Sequence, residues 1–182
     1  MGKLGYAKKG KAPVTSLMVV DATGTAERLG GFMTAATIAF NNLTPATITD
    51  SGSGFLSKML KAGMRIEVSG SGSNDGKYTI ASVVAGTITL IAGDVLADEV
   101  AGATVTISCL DKIFCKKVNI QALEGNTANI AFGDDNALVS SGQGMILSPL
   151  SETYREGVYL SDIYVDVGVN GEGVSVAYEE VL

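Results

Sequence analysis

The sequence predicts an all-β protein, and three observations carry that reading. Apolar and polar residues alternate in many short runs, the period of a half-buried strand. Gly, Asn, Asp, Ser or Pro punctuates nearly every gap between those runs. Helical periodicity is scarce. Short strands at regular spacing with turn residues between them read as a sandwich or a barrel.

Taken in order, the predicted strands begin with TSLMVV (15–20), ATIAF (36–40), ATIT (46–49) and RIEVS (65–69). KYTIASVV (77–84), TITLI (87–91) and ATVTIS (103–108) follow. KVNIQAL (117–123), NIAF (129–132), GMIL (144–147), VYLSDIYVDVGV (158–169) and GVSVAYEEV (173–181) complete the set. The best helix candidate is GFLSKMLKAG (54–63), where Phe55, Met59 and Leu60 share a face before a Gly stop. Two hairpins are expected. One joins KYTIASVV to TITLI across Ala85-Gly86. The other sets Ile163, Val165, Val167 and Val169 against Val174, Val176 and Tyr178, with Asn170-Gly171-Glu172 as its loop.

Composition fits such a chain. Its 182 residues suffice for one large β domain or two small ones. Hydrophobic residues make up 46% and charged residues 18%, so the chain folds rather than staying disordered. Aromatics are 6% and Trp is absent, which leaves Val, Ile, Leu and Ala to build the core. No apolar run approaches the roughly 18 residues that cross a bilayer, so no membrane association is expected. The start, MGKLGYAKKGKAPV, is basic with no apolar stretch behind it and does not read as a signal peptide. A soluble protein made in the cytoplasm is expected.

Charge is uneven. Lys3, Lys8, Lys9 and Lys11 give the first thirteen residues +4, leaving 9 basic against 19 acidic side chains, a net −10, for the rest. An acidic body argues against nucleic acid as the main partner. The arm suits an acidic surface, and the alternative is a frayed terminus. Cys109 and Cys115, six residues apart, would lie roughly 20 Å apart on a straight strand, beyond disulfide reach, which favours two free thiols unless the chain bends between them. With no His, a zinc site from two cysteines is a poor reading.

Catalytic patterns are missing. The tract SGSGSNDG (69–76) invites a phosphate-cradle reading, but a strand follows it rather than a helix, and neither GK[ST] nor G-x-G-x-x-G is present. It is read as a strand connector. The lack of His removes the Ser-His-acid and Cys-His arrangements, and no G-x-S-x-G elbow occurs. The acid pairs Asp98-Glu99, Asp134-Asp135 and Glu179-Glu180 are read as solvated turn residues, in preference to a glycosidase pair. A calcium site at Asp134, Asp135 and Asn136 lacks EF-hand spacing. No catalytic residue, cofactor or metal is expected. Tyr154, Tyr159, Tyr164 and Tyr178 cluster late in the chain, either as interface anchors or as caps on a core with hydroxyls in solvent.

Two stretches carry a resemblance. Residues 46–108 contain Thr47 to Asp50, Ser53 to Phe55, Lys61 to Ser71, Asn74 to Val83, Thr87 to Leu90 and Asp98 to Ile107. That series resembles a small β module of tailed-bacteriophage virion proteins, with Met64 in place of the usual polar or acidic residue. Residues 129–182, with a G-x-x-L-x-P segment and a D-x-Y-V strand before a terminal hairpin, resemble the small β-sandwich of phage structural proteins. Neither family carries catalytic residues to transfer.

The expectations are therefore these. Residues 14–35 and 111–182 form a β-sandwich, residues 36–110 an inserted small β-barrel-like module, and residues 1–13 a flexible basic arm. The resemblance implies a non-enzymatic capsid decoration or cement protein of the virion, assembled in the host cytoplasm. Its partner would be the major capsid protein, and it would form a homo-oligomer, by preference a trimer. Lys3, Tyr6, Lys8, Lys9 and Lys11 would be the arm's contacts, with Tyr154, Tyr159 and Tyr164 as interface aromatics. A tail-tube, tail-terminator or baseplate protein is the alternative, and a carbohydrate-binding or adhesin module the second.

Overall fold

The computed structural model describes residues 13–21 and 23–181, and it is almost wholly β. In chain order the first strands are β1 (Val14–Val19), β2 (Glu27–Arg28), β3 (Phe32–Ala35), β4 (Ile38–Asn41) and β5 (Thr47–Asp50). Then come β6 (Arg65–Ser69), β7 (Gly76–Val84), β8 (Thr87–Leu90), β9 (Val105–Cys109) and β10 (Phe114–Ala122). The last are β11 (Ile130–Gly133), β12 (Met145–Leu147), β13 (Glu152–Tyr159), β14 (Tyr164–Val167) and β15 (Gly173–Glu180). One short helix, α1 (Asn136–Ser140), follows β11.

Two four-stranded antiparallel sheets, ordered β1-β15-β10-β13 and β12-β11-β14-β2, pack as a sandwich. Alternation aims Val174, Val176 and Tyr178 of β15 and Val118, Ile120 and Ala122 of β10 inward. Ile130 and Phe132 of β11 and Val165 and Val167 of β14 meet them from the other sheet. The expected terminal hairpin is thus corrected. Its two rows face each other across the core, but β14 pairs with β11 and β2, while β15 pairs with β1 and β10. Val169 is exposed. The expected single strand 158–169 is also broken, by a 3-10 turn at Leu160–Asp162 that passes the chain from one sheet to the other. Gly173 lets β1 and β15 approach: a Cβ there would sit 2.0 Å from the Met18 carbonyl oxygen.

The other seven strands form one sheet in the order β3-β9-β6-β7-β8-β5-β4. Its outermost strands, β3 and β4, are separated in sequence only by Ala36 and Thr37, so the two ends of the sheet must meet and the sheet curls into a barrel. An irregularity between Ile80 and Ser82 of β7 supplies a second corner. Ile48, Ile66, Ile80, Ile88, Leu90 and Ile107 fill the interior. The hairpin at Ala85-Gly86 forms as expected, with Val84 opposite Thr87. Phe32–Ala35, grouped with the sandwich from sequence, pairs instead with β9 and sends Met33 into the barrel core.

No helix forms over residues 54–63. Met59 adopts a left-handed φ of 63°, which ends any helix there. The reason lies in packing: Phe55 and Leu60 enter the barrel core, whereas Met59 enters the sandwich core. A helix face would have sent all three to one side.

We expect Gly173→Ala to lower the urea midpoint, at a cost toward the upper end of about 1–3 kcal/mol, because the added methyl meets backbone rather than a movable side chain.

Candidate functional site

The tract at 69–76 does form a cradle of backbone amides, and the chain fills it itself. Gly72 and Ser73 donate their N–H groups to Glu99 Oε1 and Oε2 at 2.7 and 3.1 Å. Buried Asn74 locks the arrangement, donating to Ala97 O and Glu99 Oε2 and accepting from Ala97 N. Asp75 accepts from the Ser71 hydroxyl and N–H. The Gly72 N–H, together with the Asn74 and Ser73 donors, holds the Glu99 carboxyl below its ordinary value, and the Ser71 hydroxyl does the same for Asp75. The connector reading therefore stands, with an anion already in the seat.

The other acid pairs are placed as follows. Asp98 accepts from Asn42 N at 2.7 Å. Asp135 is the N-cap of α1, accepting from Ala137 N and Leu138 N, so this acid opens a helix rather than idling in a turn. Glu179 and Glu180 lie in strand β15, not in a turn. Among the described residues, no three His, Cys, Asp or Glu side chains converge to hold a metal ion. Both cysteines are free thiols. Burial pushes Cys115 up to about 11 and raises Cys109 as well, so neither is an activated nucleophile.

The sandwich has two unlike outer faces. Behind the second sheet, Val139 of α1 packs with Ala26 and Ala131, and Tyr164 lies half-buried against them. Tyr164 therefore lies on the opposite side of the sandwich, packed beneath α1. Across the first sheet no described element forms a roof. Tyr154 and Tyr159 of β13 stand on that face, 58% and 38% exposed. Residues five apart on a regular strand point opposite ways; here Gly157, at φ 63°, lies between them and the alternation resets. Phe114, 37% exposed, sits opposite Tyr159, with ring centroids 5.0 Å apart in an edge-to-face arrangement. Lys117 Nζ lies 4.5 Å from the Tyr154 ring and Lys112 Nζ 6.0 Å from that of Tyr159. A shallow groove of about 520 Å³ runs between Tyr154, Asn119, Lys117, Glu152 and Glu179, with Pro13 at its rim.

Of the predicted site residues, the structure thus brings Tyr154 and Tyr159 onto one surface and separates Tyr164 from them. Tyr178, fourth of the cluster, is buried in the core, with Lys61 Nζ 4.6 Å from its ring. The arm residues Lys3, Tyr6, Lys8, Lys9 and Lys11 lie outside the described residues. Sequence reasoning missed Phe114, because it started β10 three residues late, and it singled out neither Lys112 nor Lys117.

Compared with known protein families, curated proteins and solved structures, the chain matches none of them.

Two outcomes follow from this geometry. A carboxyl whose folded pKa is depressed stabilises the fold above the ordinary carboxylate range, and that contribution disappears as pH falls through the folded value. Hydrogen exchange should therefore show the Gly72 and Ser73 amides losing protection as pH falls below the ordinary carboxylate range and through the lowered Glu99 value. Glu99→Ala should remove that protection at neutral pH. Separately, iodoacetamide at about pH 8 should leave Cys115 unlabelled in the native chain and label it after denaturation.

Proposed function

We propose that the chain is a non-enzymatic structural protein of a tailed-phage virion, a decoration or cement protein that binds the capsid lattice. The observation that carries this reading is the unroofed face of the first sheet, where Phe114, Tyr154 and Tyr159 stand exposed among lysines. Large aromatics with two side-chain torsions give much contact area at small entropic cost, which is why they dominate interface energetics. The resemblance of residues 46–108 and 129–182 to virion β modules supplies the partner. The polar clusters described above are engaged in holding loops, which leaves a binding role for the surface.

In this reading the first sheet docks on the major capsid protein, the lysines of the arm reach acidic capsid surface, and the barrel is the second body carried along. Apolar burial of about 25 cal/mol per Å², less the costs of association, would supply the affinity.

The test is co-sedimentation with capsids stripped of minor proteins, beside a mass by light scattering. Saturable binding at a fixed ratio to the major capsid protein, by a small closed oligomer, is expected. Tyr154→Ala with Tyr159→Ala should weaken that binding at least ~10-fold, the equivalent of about 1.4 kcal/mol. Rings or tubes formed by the protein alone, with no capsid binding, would assign it to the tail instead.

A further inference from the structure

Lys58 is the only buried lysine or arginine among the described residues, at 3% exposure. Its Nζ is held by three oxygens: Val19 O at 2.7 Å, Glu27 Oε2 at 2.5 Å and Asp21 Oδ2 at 3.0 Å. A backbone bridge between Met18 and Lys58, and a hydrogen bond from Val19 N to Ser57 O at 3.0 Å, fix the two segments side by side. The amine therefore does not reach its partners by a flexible excursion. It is delivered to them by paired backbone.

We propose that Lys58 and Asp21 condense into an intramolecular amide, with Glu27 as the proton carrier. The arrangement holds the Nζ nucleophile against both the Asp21 electrophile and the Glu27 proton carrier, and the Asp21 N–H donates to Glu27 Oε1 at 3.0 Å, so the two acids are neighbours. Such placement turns a slow bimolecular condensation into a unimolecular one. Glu27 Oε2 takes a proton from Nζ, whose freed lone pair attacks Asp21 Cγ and forms the C–N bond. Glu27 then passes the proton to a departing Asp21 oxygen. A second Nζ proton follows by the same route, the C–O bond breaks, and water leaves. The Glu27 carboxylate is regenerated, and the ammonium and carboxylate together have lost one water, with no oxidant, reductant or other reactant. The Asp21 side chain is 69% exposed, so the water has a path out. The single N–H that remains on the new amide keeps Val19 O as its acceptor, so the product leaves no buried donor unpaired.

The bond would tie the end of β1 to the segment leading into β6, and so join sandwich to barrel covalently. This inference rests on the junction's geometry and is independent of the capsid reading.

The test is proteolysis of the denatured full-length protein followed by mass spectrometry. Both carboxylates lie in one tryptic peptide, 12–28, and an amidated Lys58 resists trypsin. The expected result is an intact denatured chain one water lighter than its sequence mass, and a digest in which peptide 12–28 is joined to peptide 29–61 with Leu29 carrying a free amine, which separates the branched product from uncleaved linear 12–61 of equal mass. Lys58→Arg and Asp21→Ala should each release the peptides, and Glu27→Gln should leave them separate in a chain whose circular dichroism matches the parent. Separate, unmodified peptides from the parent protein would overturn the proposal. So would a joined pair that persists in Asp21→Ala. Full joining in Glu27→Gln would overturn the role of Glu27.

Discussion

The buried Lys58 side chain, an ammonium until it condenses with Asp21, is the constraint on which the junction of the two cores depends. Two cores, each built from its own strands, meet where Lys58 crosses from the barrel segment to the end of β1. A charge removed from water must be fully matched, and removing one member of such a pair costs about 3–5 kcal/mol because the other is left stranded. Here Val19 O, Glu27 and Asp21 supply that match. The side chain's neighbour Met59 then drops into the sandwich core while Phe55 and Leu60 turn into the barrel. Lys58 and these three apolar residues thus meet at the same junction between the two cores.

The acidic residues repeat this logic at the loops. Short strands leave many backbone amides in connections, and each needs a partner when it is not in water. Asp50 accepts from Gly52 N and Gly54 N and from the Thr37 hydroxyl. Asp166 accepts from Gly24 N, and Glu99 from Gly72 and Ser73. Glu172 takes the N–H groups of Thr127 and Ala128; burial works most strongly against its charge, yet these donors and the Thr127 hydroxyl together hold its carboxyl below the ordinary value. Much of the acidic excess is thereby spent on tying loops down. That is a physical reason for the carboxylates found in these loops.

Strand identity was legible in the sequence because alternation reports which residues face a core. It does not report which strand a residue bonds to. Val165 and Val176 therefore read correctly as facing rows and wrongly as a hairpin, since two sheets stacked across a core leave the same pattern as one ladder. Phe55, Met59 and Leu60 mimicked a helix face because a loop serving two cores can place apolar residues at the same intervals. Phe114 escaped notice because the irregularity of β10 between Cys115 and Lys117 breaks the period that would have marked it. Glu99 and Lys58 were invisible as partners: their contacts, Gly72 and Glu27, lie 27 and 31 residues away, and nothing local signals them.

The central claim is that the unroofed face of the first sheet is the docking surface. The most direct measurement is an electron cryo-microscopy reconstruction of capsids saturated with the protein. The account predicts density in which β10 and β13 lie against the capsid, with Phe114, Tyr154 and Tyr159 at the contact and the barrel projecting from it. Density that meets the capsid through the barrel, leaving those aromatics in solvent, would contradict it.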